Sequence, residues 1–139
     1  MRRLLVSSGN DLRLLFLWGP VLVGMAAIFY VSSLHEAPLP DDVSDKSGHV
    51  LAYTALGVTV VRAVAGGLPR RITARIAAVA IAITVAYGAT DELHQAFVAG
   101  RTAELADLYA DAGGAILATV ACWAWGIISP RREPPSRLR

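Results

Sequence analysis

Cysteine is almost missing from this chain. Cys122 is the only one among 139 residues, so no disulfide forms within the chain and a metal site built on cysteines is not expected. Other signatures are absent altogether. There is no Gly-rich phosphate loop, no GxSxG, no GxGxxG and no HExxH. Basic and aromatic residues do not interleave as they do on a nucleic-acid surface, so no nucleic-acid partner is expected. No internal repeat stands out. The most informative absence is of charge. Leu14 to Leu34, Ile76 to Thr90 and Ala112 to Ser129 contain no Asp, Glu, Lys, Arg or His.

What remains is strongly apolar. Hydrophobic residues make up 55% of the chain and the mean hydropathy is +0.50. The length fits one domain. About 20 apolar residues span the hydrocarbon core of a bilayer, and four stretches of that kind are present. The fold expected is therefore all-α, a four-helix transmembrane bundle. A cleaved signal peptide is the rival reading of the first stretch, but its apolar region would be shorter and followed by a small-residue cleavage site. The helices are expected at about Leu14–Leu34, Lys46–Leu68, Ile72–Phe97 and Ala103–Ser129. Residues 1–13 form a basic N-terminus, 14–129 the membrane domain, and 130–139 a basic, Pro-rich tail. Gly19-Pro20 is expected to kink helix one. Ser44 or Asp45 is placed to cap helix two.

The charges sort into two sets. Arg2, Arg3, Arg13, Arg62, Arg70, Arg71, Arg75, Arg131, Arg132, Arg137 and Arg139 have only Asp11 and Glu133 for company. The other nine acids, the three histidines, Lys46 and Arg101 lie between Leu34 and His49 or between Asp91 and Asp111. By the positive-inside rule the Arg-rich set is cytoplasmic, which puts both termini inside and the acid-rich connections outside.

The polar set clusters by depth. Asp91 lies about 28 Å from the inner end of helix three and Asp107 about 33 Å from that of helix four, at about 1.5 Å per residue. His49 sits just inside the outer end of helix two. Faces agree as well as depths. Asp45, His49 and Tyr53 repeat at i, i+4, i+8; Asp91 and Gln95 are i, i+4; Asp107 and Asp111 are i, i+4. His49, Glu92, Gln95, Arg101 and Asp107 are therefore expected around one cavity. Arg101 is expected to pair in bidentate fashion with Asp107 or Glu92, and His49 to bond Asp45 or Tyr53. His94 is expected to face headgroups. On helix four, Ala110, Gly114, Ala118, Cys122 and Gly126 form a small-residue stripe suited to close packing within the bundle.

The chemistry such a cluster offers is proton transfer and anion binding. The catalytic candidates are His49 as proton acceptor and Glu92 or Asp107 as donor. Asp45, Lys46, Tyr53, Asp91, Gln95, Arg101 and Asp111 are the binding candidates, with Arg101 holding an anionic headgroup. The competing reading is a structural network that ties helices three and four. No cofactor is expected. A divalent metal is the alternative, since His49, Glu92, Asp107 and Asp111 supply nitrogen and oxygen ligands suited to Zn, Mn or Mg.

Two motifs carry a resemblance. Asp45-Lys46-x-x-His49-x-x-x-Tyr53-x-x-Leu56-Gly57 is one. Asp91-Glu92-x-x-Gln95, then Gly100-Arg101, Asp107 and Gly114, is the other. With Ser32-Ser33 ending helix one, they resemble the VanZ-like family over roughly Leu14 to Gly126. The chain departs from that pattern at Asp111, where the family often shows Asn. The resemblance implies a small bacterial membrane protein of the cell envelope, of a family named for members that give low-level teicoplanin resistance. It implies membrane lipids as surroundings and a lipid-linked or glycopeptide ligand at the outer face. Whether the chain is an enzyme or a binding protein, and its oligomeric state, stay open.

Topology gives the first prediction. Cysteines introduced by Asp42→Cys and Ala99→Cys will react with a membrane-impermeant thiol reagent added to intact cells, and one introduced by Ser136→Cys will not. The reverse pattern would overturn the orientation.

Overall fold

A computed structural model describes residues 2–35 and 44–129, with side chains from residue 9 onward. The tail 130–139 and residues 36–43 lie outside the described residues. Among those described there are four helices and no strand: α1 (Arg2–Ser32), α2 (Asp45–Ala65), α3 (Ala74–Gln95) and α4 (Leu105–Ile128). Each is long and apolar enough to cross a membrane, α1 through its Gly9–Ser32 portion.

Local chemistry sets the helix ends. Ser44 caps α2, its Oγ accepting the Ser47 amide at 3.2 Å. Thr73 does the same for α3 with the Ile76 amide at 3.3 Å. α2 stops at Gly66, whose φ of 73° lies in the left-handed region that glycine occupies without strain. α1 begins at Arg2 rather than near Leu14. Arg and Leu are good helix formers, so charge alone does not end a helix there.

The helices alternate in direction, as the contacts at their ends require. The C-terminal end of α1 meets that of α3 through Ser32 and Asp91, and the first turns of α2 and α4 meet through Lys46 and Asp107. At the opposite end Arg62 donates to the Phe16 carbonyl at 3.0 Å and lies over the Phe16 ring. The acid-rich residues thus share one end of the bundle. Large apolar side chains such as Leu22, Phe29, Leu51, Leu93 and Ile116 are exposed on every helix. That distribution suits a surface solvated by lipid rather than water.

The tightest seam joins α2 and α4. A Cβ at Gly114 would stand 2.7 Å from the Val50 oxygen and 2.9 Å from the Thr54 nitrogen. A Cβ at Gly57 would stand 2.8 Å from that of Ala118. The small stripe on α4 therefore packs inside the bundle, and backbones approach where side chains are missing. Val60, Val61, Ala118 and Cys122 fill the core below. α1 is the peripheral helix. It touches α2 and, less extensively, α3, but not α4, among the described residues.

Gly114→Ala will cost about 1–3 kcal/mol, the usual range for overpacking, because backbone and not a flexible side chain must give way. Gly113→Ala, where a Cβ meets nothing within 4 Å, will not destabilise. Thermal unfolding of the two variants in detergent checks this, and equal losses would refute the close seam.

Candidate functional site

Asp91 anchors the polar end. It is buried near the C-terminus of α3 and accepts two hydrogen bonds. One comes from Ser32 Oγ at 2.6 Å and the other from Gln95 Nε2 at 3.2 Å. Gln95, one turn on, turns its carbonyl outward to Arg101. The guanidinium donates to Gln95 Oε1 through Nε at 3.2 Å and Nη2 at 2.8 Å. Its Nη1 stands 3.8 Å from Asp45. A relay thus runs from α1 through α3 to the α3–α4 connection and the first residue of α2. The expected pairing of Arg101 with Asp107 or Glu92 does not form. Arg101 sits in the connection above Gln95, and Lys46 has taken the α4 acids.

Lys46 lies 3.1 Å from Glu104 Oε2 and 3.4 Å from Asp107 Oδ1. The Asp107 contact has ion-pair distance but not hydrogen-bond alignment, since that oxygen receives no hydrogen bond. Glu104 and Lys46 are half exposed, so their pair contributes little, whereas Asp107 is buried. Glu92 is also buried, and its Oε2 accepts the Glu104 amide at 3.0 Å. Glu104 makes no capping bond with its own side chain. A carboxylate from α3 therefore caps α4, where the helix dipole favours negative charge.

His49 occupies the centre. Its Nδ1 donates to Asp111 Oδ1 at 2.8 Å, across 62 positions of sequence. The expected partners, Asp45 and Tyr53, are not its hydrogen-bond partners. Tyr53 instead stacks parallel to the imidazole, ring centres 6.2 Å apart. With Nδ1 engaged, Nε2 is left to accept or donate a proton. Asp111 is completely buried. It fits because Gly88 on α3 has no side chain: a Cβ there would lie 2.6 Å from Asp111 Oδ2.

A cavity of about 530 Å³ opens between α1 and α2. Its walls are apolar, from Val23, Ala27, Ile28, Ala52 and Leu56 among others, and its polar end holds Ser32, Asp45, His49, Asp91, Gln95 and Arg101. Val23 and Val31, both exposed, line it, so it opens toward lipid. Of the five residues expected around one cavity, His49, Gln95 and Arg101 line it. Glu92 and Asp107 do not. They stand against His49 outside the lining, held by the start of α4. Tyr53 lines the cavity, while Lys46 and Asp111 do not. For a cation, Asp45, His49 and Asp107 form one group whose ligand atoms lie within 4.8 Å of one another, and His49, Glu92 and Asp111 form another.

Several contributors were not legible as such. Tyr87 donates from its hydroxyl to the Met25 carbonyl at 2.5 Å, fixing the middle of α1. His35 Nδ1 lies 2.7 Å from the Ala99 oxygen and ties two connections together. His94, expected to face headgroups, is 3.0 Å from Ser33 Oγ and stacks on Phe29. Gly88 did carry a signal. It lies four residues before Glu92, a small position on the same helical face as a charged one.

The model of the family described as VanZ/LLP1 matches residues 14–128. Neither a curated protein nor a solved structure matches the chain.

Removing Ser32 Oγ leaves a buried carboxylate oxygen without its donor, which costs about 1–3 kcal/mol. Ser32→Ala will therefore lower the unfolding midpoint in detergent measurably. Ser33→Ala, at an exposed position, will change it little. Equal behaviour of the two would show that the Asp91 contact does not hold α1.

Proposed function

Given that the chain belongs to the VanZ/LLP1 family, we propose that this multi-pass membrane protein works in the cytoplasmic membrane and takes the headgroup of a lipid-linked envelope component into its polar end. In this reading the polar end faces outward, both termini are cytoplasmic, and binding lowers susceptibility to glycopeptides of the teicoplanin type. One observation carries the reading: the cavity is itself amphiphilic. Apolar walls from α1 and α2 lead to a polar end that contains a guanidinium, an imidazole and hydrogen-bonding groups. An amphiphile needs that sequence of surfaces, acyl or prenyl chain along the walls and headgroup at the end.

The roles follow from chemistry. Arg101 offers planar, always-charged donors to a phosphate or carboxylate. His49, steadied by Asp111, has Nε2 available to accept a proton from a bound group. Glu92 or Asp107 is the donor if the site carries out a reaction, but both act from outside the cavity lining. That favours the second reading, a non-catalytic binding protein in which Glu92 and Asp107 hold α4 to α2 and α3. The bond of Glu92 to the Glu104 amide and the place of Asp107 3.4 Å from the Lys46 ammonium support it.

The test uses cavity filling and charge removal in the same membranes. Wild-type protein expressed in a teicoplanin-sensitive host will raise the inhibitory concentration. Ala27→Trp, which fills the apolar part, and Arg101→Gln, which removes the cation, will each return it to the empty-vector value with folded protein at wild-type level. Tolerance that merely tracks the amount of folded protein across variants would remove the binding claim. No effect of the wild type would remove the glycopeptide claim.

A further inference from the structure

Burial leaves the acids around His49 with unequal partners. Asp91 is satisfied by Ser32 and Gln95. Glu92 spends Oε2 on the Glu104 amide and Asp111 spends Oδ1 on His49. Their other oxygens, Glu92 Oε1 and Asp111 Oδ2, are buried and receive no hydrogen bond. The two residues are only 7% and 0% exposed. They come from different helices, and with an imidazole nitrogen of His49 their ligand atoms lie within 4.8 Å of one another. Orphaned buried carboxylate oxygens are costly and call for a partner.

We propose that His49, Glu92 and Asp111 together bind one divalent transition-metal cation, Mn2+ or Zn2+. The donor set argues for this class. An imidazole and two carboxylates suit Mn and Zn, whereas Mg2+ prefers oxygen and keeps several waters that a buried site of this kind excludes. Such ions hold nitrogen and oxygen at about 2.0–2.2 Å, so a set already this close needs only side-chain rotation to close round one. A proton shared between the two carboxyls would leave His49 without a part in the site. A cation relieves both when it takes the place of the proton between His49 Nδ1 and Asp111, which is released on binding. Lys46 does not fill the role, because its ammonium is engaged by Glu104 and Asp107. Gly88 belongs to the site in the same sense, since the space it leaves is where Asp111 Oδ2 lies. The site goes beyond the headgroup reading and does not rest on it. Because His49 also lines the cavity, the ion would stand next to the headgroup end.

The test uses full-length protein in detergent, stripped with EDTA and then given Mn2+ alone. Wild type will retain stoichiometric Mn2+ after desalting, and Zn2+ will displace it. Pulsed paramagnetic resonance of the bound Mn2+ will show coupling to an imidazole nitrogen. Asp111→Asn and Glu92→Gln will each weaken Mn2+ binding by about tenfold or more, at least the effect of losing an outer-shell partner. Glu104→Gln will leave it unchanged. A wild type that retains neither ion, bound Mn2+ without nitrogen coupling, or undiminished binding by both variants would overturn the proposal. The wild-type measurements decide the matter even if a variant does not fold. No lipid or phenotype enters them, so their failure would leave the headgroup reading standing.

Discussion

Asp111 is the residue whose burial the rest of the polar end accommodates. An unpaired carboxylate in a low-dielectric interior costs several kcal/mol, and a lipid-solvated bundle has no water in its walls to offset it. The chain meets that cost from two neighbours. His49 on α2 supplies a donor at 2.8 Å, and Gly88 on α3 supplies space. Both conditions require α2, α3 and α4 to lie close at the same level. The hydrogen bond therefore depends on the glycine and alanine seam between α2 and α4, and it also selects the register of that seam. A shift of one residue along α4 turns Asp111 by about 100° and points it away from His49.

Apolar burial does less of this work than in a water-soluble protein. Lipid tails are as apolar as the helix surfaces, so association relies on close packing and interhelical polar contacts. The two devices are visibly divided here. Gly57, Gly114 and Ala118 bring backbones together in the middle of the α2–α4 seam. Lys46, Glu92 and Glu104 join helix ends at the polar face. Neither device substitutes for the other. Close packing fixes distance, and the polar contacts fix which end meets which.

The sequence made the four spans and their shared polar end legible, because both rest on quantities that accumulate along a helix. Hydropathy over about 20 residues marks a span, and rise per residue gives depth. The VanZ-like resemblance was likewise carried by ordered motifs and agrees with the family match over residues 14–128. Partner choice was not legible. Stripe reasoning sees neighbours one turn away on the same helix, so it offered His49 only Asp45 and Tyr53. Its actual partner, Asp111, is set by how α2 and α4 face each other. The same gap misplaced Arg101. From sequence it was simply near several acids. In three dimensions Lys46 occupies the α4 acids first, and Gln95 presents the carbonyl that Arg101 reaches. The start of α1 was missed for another reason: arginines were read as a boundary, although they favour helix as much as leucine does.

The distribution of contacts around α1 bears on how the proposed amphiphile would reach the cavity. α1 is fixed at three levels by groups from other helices. Arg62 binds the Phe16 carbonyl, Tyr87 binds that of Met25, and Asp91 accepts from Ser32. Interhelical hydrogen bonds in membranes average only about 0.6 kcal/mol each. Between those levels α1 forms one wall of the cavity and contributes few buried apolar side chains of its own, Leu17 and Val21. The wall beside the cavity is thus the one with least to lose on moving. Local opening is cheapest where buried apolar contacts are few, and in this bundle that place coincides with the lipid-facing side of the amphiphilic cavity. A chain sliding in between α1 and α2 meets the apolar walls first. On the proposed reading, an amphiphile that enters by this route lays its chain along the apolar walls and brings its headgroup to the polar end.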